Sequence, residues 1–460
     1  MKNAVLLLCM LSGLVSARPN IIFINADDLG VMDVDYNSDR YITPNIRRIC
    51  KEGMVFSEAY AAAASGASSR ACVMSGQYTP RHGIYGTDVA GIGKASERKL
   101  IPVKSEKFLP LENVTITKVL KAGGYKTIHL GKWQIGEDPT EQGFDVNIGG
   151  YAAGVPKGGY FVPFRQGLMA EYNNQYRAGT HSVDVLTDQA VKFMQINRET
   201  PFFMSLQFYS VHAGLEPVPE LVEKYDPATV DPTYASMIEM VDLGVGRILD
   251  AVRDLGLKNN TMIVFTSDNG GVKAVSDQTP FRSGKGSYFD GGIRVPLVIS
   301  WPGHSAKAGL CETPVIGVDF YPTFLEAAGL KAPKGKVLDG VSLIPLLKKR
   351  GTIPERPIFW HFPVYQESLA AKADDAHDEF FLTRPGSAVR MGRWKLHEYF
   401  EDGRIELYDL AADPAERMNF QHLHVRTTEK LHRALVEWRE AIGAPVPDQP
   451  NPEYHPAENP

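Results

Sequence analysis

The sequence predicts an α/β protein: a large, doubly wound, mostly parallel sheet flanked by helices, plus a smaller C-terminal α+β unit with an antiparallel sheet. Three observations predict it. Short apolar runs such as Ile21-Ile22-Phe23-Ile24 and Met262 to Phe265 alternate with longer segments of helical periodicity. Several of these runs stop abruptly at charged or amide residues, where open α/β sheets hold their ligands. Past about residue 350 the rhythm changes to strand, turn and strand, with Glu401-Asp402-Gly403 as one turn.

In chain order, residues 1–17 read as a secretory signal peptide. Lys2 precedes an apolar run from Ala4 to Val15, and Val15-Ser16-Ala17 forms a small-residue cleavage site. The run is too short to span a bilayer, so the mature chain is expected to be secreted or periplasmic, with no stable membrane insertion. Ile21 to Ile24 is the first strand and closes on Asp27-Asp28. Thr43-Pro44-Asn45 opens a helix whose apolar stripe is Ile46, Ile49 and Met54. A stretch of small residues from Ala64 to Gly86 carries Arg70, and its Ala71 to Met74 portion continues as a helix.

Residues 91–111 read as a surface loop, and Thr115 to Ala122 as a helix ended by Gly123-Gly124. Thr127 to Leu130 is the second strand, followed by Gly131-Lys132-Trp133-Gln134. Residues 149–167, rich in glycine and aromatics, read as a loop over the site. Asp184 to Ile196 is helical, and Pro201 to Tyr209 is the third strand with His212 just beyond it. Tyr234 to Leu255 is a long helix. Met262 to Phe265 is the fourth strand and runs into Ser267-Asp268-Asn269; a loop bearing Lys285 precedes the fifth strand, Val295 to Ile299. Asp319 to Gly329 is helical. Charge and proline accumulate from Lys348 to Pro357, dividing the mature chain into residues 18–350 and 351–460. A helix from Thr428 to Ala441 precedes a proline-rich tail.

At 460 residues, 43% hydrophobic, 22% charged and net charge −5, the chain has no general electrostatic attraction for nucleic acid. Any anion it binds must be held by a local cluster. The mature chain keeps Cys50, Cys72 and Cys311, too sparse for a disulfide framework.

The polar residues at the strand ends supply that cluster. Asp27-Asp28, Lys132, His212 and Asp268-Asn269 each follow a different apolar strand, so a parallel sheet brings them to one edge. A paired aspartate can also be a helix cap, a lysine a solvated side chain and a histidine a core residue; their joint placement is what argues for a site. Asp27, Asp28, Asp268 and Asn269 offer oxygen ligands suited to a hard dication, Ca²⁺ or Mg²⁺. Arg70, Lys132, His212 and Lys285 offer the donors and charge that suit a tetrahedral oxyanion. Phosphate and sulfate esters both fit this chemistry.

Several motifs in order resemble those of the type I sulfatases of the alkaline-phosphatase superfamily. They are Arg18-Pro19-Asn20 with Asp27-Asp28, Thr43-Pro44-Asn45, Ser69-Arg70 with Ser75-Gly76, Gly131-Lys132-Trp133, His212, Ser267 to Gly271, Lys285-Gly286, and Gly291 to Pro296. Glu406 to Leu410 with Asp413-Pro414 and Glu416 resembles the family's C-terminal signature. The resemblance covers nearly all of the mature chain. It implies a sulfuric ester hydrolase in which Asp27, Asp28, Asp268 and Asn269 bind Ca²⁺. Lys132, His212 and Lys285 would bind the sulfate, and Arg70 would support the nucleophile. His212 and Lys285 would also help the leaving oxygen depart.

Two positions depart from the family pattern. The family nucleophile is a formylglycine made from Cys or Ser in the pattern Cys/Ser-x-Pro/Ala-x-Arg; counting back from Arg70 puts Gly66 at that place and Ser68 at the Pro/Ala place. Glycine has no side chain to oxidise, so formylglycine is not expected. Ser65 and Ser68 are out of register, and Cys72 lies on the wrong side of Arg70. At the position of the family's base, two residues after Lys132, stands Gln134, which can hydrogen-bond but not take a proton. Both changes concern one step, the making and breaking of a covalent sulfate ester. Three readings follow: a sulfatase with water or Ser65 as nucleophile, a non-catalytic binder of sulfated glycans, and a phosphate or phosphonate ester hydrolase. Exported aromatic-rich segments, Gly150 to Phe164 and Phe359-Trp360-His361-Phe362, suggest stacking on the sugar rings of a sulfated polysaccharide, or packing between the two parts of the chain.

Overall fold

The computed structural model describes residues 18–455 apart from 87–92, 156–157, 166, 349, 369–374 and 376–379. The expected signal peptide lies outside the described residues. Eight strands make the main sheet: β1 (Asn20–Ala26), β2 (Met54–Phe56), β3 (Lys126–Gly131), β4 (Val146–Ile148), β5 (Phe202–Gln207), β6 (Thr261–Ser267), β7 (Leu297–Ser300) and β8 (Gly309–Cys311). Their order across the sheet is β4-β3-β5-β1-β6-β7-β2-β8. The five strands from β4 to β6 are parallel, with Ile22 of β1 flanked by Met204 and Ile263.

β1 shows why the central strands read as unbroken apolar runs. Side chains alternate between faces, and both faces are covered: Ile22 and Ile24 pack in one core, Ile21 and Phe23 in the other. On the first face lie α1 (Pro44–Glu52), α4 (Ser182–Ile196) and α5 (Pro232–Asp254). On the second lie α2 (Gly66–Ser75), α3 (Ile116–Ala122) and α6 (Phe320–Ala327). β7 runs antiparallel to β6. A parallel return needs a crossover of a dozen or more residues, usually a helix; between β6 and β7 the helical content is the single turn Asp290–Ile293.

Four further strands, β9 (Ile358–Phe362), β10 (Gly386–Met391), β11 (Trp394–Tyr399) and β12 (Ile405–Asp409), form the expected antiparallel sheet in sequential order. Helix α7 (Val425–Ile442) packs on it through Leu431 and Leu435.

Two local expectations are corrected, and one open alternative is decided. Met54 does not continue the stripe of α1; that helix stops at Glu52, and Met54 begins β2. Residues 149–167 are more than a cover, because Tyr160, Val162 and Phe164 are core residues. The run Phe359 to Phe362 is buried in β9 and unavailable to a sugar: Phe359 stacks on Trp438 at 4.5 Å, and Trp360 Nε1 donates to the Ala61 carbonyl at 2.9 Å. Packing between the sheets uses these aromatics up.

Candidate active site

Four of the five parallel strands deliver polar residues to the same edge. β1 hands over Asp27 and Asp28, β6 Asp268 and Asn269, β3 Lys132, and the turn after β5 brings His212. Gly131, at the end of β3, has φ +88°, and a Cβ there would lie 1.9 Å from the Gln207 carbonyl oxygen. Only glycine lets β3 hug β5 and turn Lys132 inward. Asp28 itself sits at φ +61°, its amide donating to Asp268 Oδ1 at 3.2 Å.

The carboxylates of Asp27, Asp28 and Asp268 offer oxygens all within 4.8 Å of one another, and all three are buried. Cations hold each of them. Lys132 Nζ lies 2.5 Å from Asp27 Oδ2, Lys285 Nζ 2.8 Å from Asp28, and Arg70 Nη2 2.6 Å from Asp268 Oδ2 and 3.2 Å from Asp27 Oδ1. His212 Nε2 stands 3.9 Å from Asp28 Oδ2. All eight residues expected at the site therefore converge.

Burial opposes ionisation of Asp28, yet Lys285, His212 and Lys132 together hold its carboxyl well below the usual range. Burial pushes Asp268 up to about 6 against the charge of Arg70. Lys132 is pushed down by burial, opposed by Asp27, while Asp28 and Asp27 overcome burial to push Lys285 up. His212 is lowered to about 4, by burial first and Lys132 second, so it is neutral at pH 7.

Asn269 supplies the test of whether a metal fits. Its Nδ2 donates to Asp28 Oδ1 at 2.9 Å and to the Gly270 carbonyl, while its buried Oδ1 has no hydrogen-bond partner among the described residues. A buried carbonyl oxygen without a partner is costly, and this one belongs with three crowded carboxylates. The donor set is all oxygen, as a hard dication requires.

Gly66 opens α2, and its bare Cα faces this centre. A Cβ there would lie 2.4 Å from Asp268 Oδ2 and 2.9 Å from Arg70 Nη1. The count back from Arg70 thus identifies the residue aimed at the carboxylates. Ser65 is turned to another use: its hydroxyl pairs with Ser68 Oγ at 3.0 Å. Gln134 is at the site too, in the left-handed region at φ +70°, and its Oε1 accepts from Arg70 Nη1 at 3.1 Å. Cys72 is buried and pairs with His82 at 3.4 Å, away from the carboxylates.

Supporting residues had no sequence signal of their own. Tyr160 donates its hydroxyl to the carbonyls of Tyr209 and His212, both at 3.0 Å, pinning the turn that carries His212. Tyr234 donates to Asp33 and to the Asp28 carbonyl. Thr383, from beyond the main sheet, donates to the Gly286 carbonyl at 2.9 Å and so holds the residue next to Lys285. The tyrosines look like ordinary core residues in sequence; a hydroxyl needing a partner on a buried ring was the available hint.

Residues 19–330 match the Sulfatase family. The chain belongs to it. Residues 284–441 also match the family described as N-sulphoglucosamine sulphohydrolase, C-terminal. A protein named sulfatase from Formosa agariphila is 30% identical, the alignment covering 87% of this chain and 84% of that one. Human arylsulfatase A is 30% identical over 94% of this chain and 89% of its own. The solved structure of Ps i-CgsB in complex with k-i-k-neocarrahexaose superposes with a TM-score of 0.75 at 27% identity, covering 96% and 95% of the two chains. This sulfatase is therefore, by family, a sulfuric ester hydrolase, with a buried aspartate triad that could hold the metal on which such enzymes depend. Among its described residues no helix is long and apolar enough to cross a membrane.

Proposed function

We propose that the protein is an exported, calcium-dependent sulfatase that removes sulfate from carbohydrates, with water in the nucleophile's part beside Gly66. The observation that carries this reading is the meeting of a three-carboxylate cradle and a three-cation cradle at the seat of residue 66. The charges of the two cradles balance, so a bound dication leaves the centre positive and suited to a sulfate monoester. Asp27, Asp28, Asp268 and Asn269 are the calcium ligands; magnesium is the other hard cation the set suits. When bound, the metal supplies Lewis-acid polarisation of a sulfate oxygen.

Lys132 and Lys285 take up the sulfate's charge, and Arg70 fixes Asp27, Asp268 and Gln134 around it. Water's oxygen bonds to sulfur as the bond from sulfur to the sugar oxygen breaks. His212 and Lys285, the partly exposed members of the set, face the departing oxygen and one of them gives it a proton, while the protons released by the attacking water restore that donor and pass to solvent. The bound anion favours the imidazolium of His212 that this requires. The products are the sugar hydroxyl and inorganic sulfate. Export is supported by residues 1–17, and a carbohydrate substrate by relatives such as mouse N-acetylgalactosamine-6-sulfatase, 31% identical over 75% of this chain.

The test is release of inorganic anion. The purified full chain with calcium is given sulfated oligosaccharides, an aryl sulfate and an aryl phosphate. Sulfate release that disappears in Asp268→Ala and in chelator supports the proposal. Oligosaccharide binding without sulfate release identifies a non-catalytic binder instead, and turnover confined to the phosphate identifies a phosphoryl hydrolase.

A further inference from the structure

Behind Arg70, between α2 and the main sheet, lies a cavity of about 20 Å³. Its walls include Arg70, His129, Trp133 and Gln207, all at least nine-tenths buried. Each of these carries one buried polar atom with no hydrogen-bond partner among the described residues: Arg70 Nε, His129 Nδ1, Trp133 Nε1 and Gln207 Oε1. Four such atoms on residues lining one small cavity are unusual, since nearly all buried polar groups are paired; a fifth lining residue, Asp268, has its Oδ2 in the ion pair with Arg70.

Their chemistry is complementary. Arg70 Nε and Trp133 Nε1 can only donate. His129 Nε2 lies 3.1 Å from the Gly131 carbonyl, which places its hydrogen there and leaves Nδ1 an acceptor. Gln207 Nε2 donates to Ser205 Oγ at 3.0 Å, leaving Oε1 to accept. Two donors and two acceptors are what one water molecule, which accepts two hydrogen bonds and donates two, would satisfy. A water needs roughly 10–15 Å³ of such space, so the cavity takes one.

We propose that this cavity binds a single structural water that completes the hydrogen bonding of Arg70, making His129 and Gln207 positioning residues for the metal cradle. The other guanidinium nitrogens of Arg70 are already committed, Nη1 to Gln134 and Nη2 to Asp27 and Asp268. The water at Nε fixes the last free edge of the guanidinium and so the plane that holds both carboxylates. The calcium consequence rests on the metal site proposed above; the water does not.

Two measurements test it. A crystal structure of the full chain at high resolution is expected to show one solvent peak within hydrogen-bonding distance of Arg70 Nε and of His129 Nδ1 or Gln207 Oε1; a cavity without that peak overturns the proposal. Oxygen-17 relaxation dispersion then counts long-lived internal waters in the parent and in Gln207→Met, which keeps the side chain's shape but removes the acceptor. The variant is expected to lose one such water and to bind calcium roughly 3- to 10-fold more weakly, the worth of one hydrogen bond. Loss of the water with calcium affinity unchanged refutes the positioning role. His129→Phe gives the same readouts if Gln207→Met fails to fold. Should the parent not bind calcium, the metal reading fails, while the solvent peak still decides the water.

Discussion

At the carboxyl edge of the main sheet, Asp27, Asp28 and Asp268 face Arg70, Lys132 and Lys285; between the two sheets, Glu58, Asp290 and Glu416 face Arg294, Arg390 and Lys395. The second cluster is as buried and as evenly charged as the first. Lys395 Nζ lies 2.8 Å from Asp290 and 3.0 Å from Glu416, and Arg294 Nη2 2.7 Å from Glu58. Burial disfavours the Asp290 carboxylate, but Lys395, Arg294 and Arg390 hold its pKa well below the usual range. The clusters differ in closure. The one between the sheets is closed at its centre, where Lys395, Asp290 and Glu416 are fully buried; Glu58 and Arg294 are partly exposed at its rim, and every carboxylate lies within ion-pair distance of a cation. The one at the edge leaves Asn269 Oδ1 without a partner among the described residues, shows Lys285 and His212 in part to solvent, and has the bare Cα of Gly66 facing it. Balanced buried charge is common to both; a buried acceptor with neither hydrogen bond nor cation sets the edge cluster apart.

The strongest way to sharpen that contrast is to restore what the edge cluster lacks. Gly66→Cys with Gln134→His, produced with a formylglycine-generating partner, is expected to hydrolyse an aryl sulfate roughly 100-fold or more faster than the parent, the scale on which a nucleophile and its base act. Asp268 and Arg70 must give way slightly to admit the new Cβ. A rate no higher than the parent's would mean that the edge cluster does not accept a covalent nucleophile at position 66.

Next in size is Lys395→Met. It strands Asp290 and Glu416 without their shared cation and is expected to cost about 3–5 kcal/mol in urea unfolding. Calcium affinity of the folded protein should stay at the parent's value. A variant of normal stability with impaired calcium binding would reverse the roles assigned to the two clusters.

The smallest effect concerns a buried carboxylate outside both. Asp242 on α5 accepts from the amides of Ile46 at 2.7 Å and Asn45 at 2.9 Å, at the start of α1. Burial pushes its pKa up to about 6 in spite of those bonds. The folded state therefore holds this proton more tightly than the unfolded chain, and its contribution to stability is lost as pH rises from about 4 to about 6. Against Asp242→Asn, the parent should lose about 1–3 kcal/mol across that window. Equal pH profiles for the two would show that amide donors alone keep a buried carboxylate ionised, removing the reason for cations in either cluster.

The edge cluster was legible because parallel strands turn separate stretches of sequence into one place. Asp27-Asp28, Lys132, His212 and Asp268-Asn269 each follow an apolar run, and a common strand direction suffices to bring them together. The second cluster joins residues 58, 290, 294, 390, 395 and 416 through sheet-to-sheet packing that no local period encodes. The same limit hid the role of Tyr160 and made Phe359 to Phe362 look available to a sugar. Burial on both faces of β9 depends on a partner sheet and on Trp438, 76 residues beyond Phe362. β2 and β8 are too short for a hydrophobic pattern to announce them.

The hydrogen bond from Thr383 to Gly286 has a consequence for modularity. The loop that carries Lys285 leaves the main sheet, but its carbonyl is clasped by a residue near the start of the antiparallel layer. Residues 18–350 would thus contain every proposed site residue and still lack the clasp on Gly286, next to Lys285. The two layers together hold the Lys285 loop, so the large sheet grafted alone onto another protein would carry the proposed site residues without that clasp.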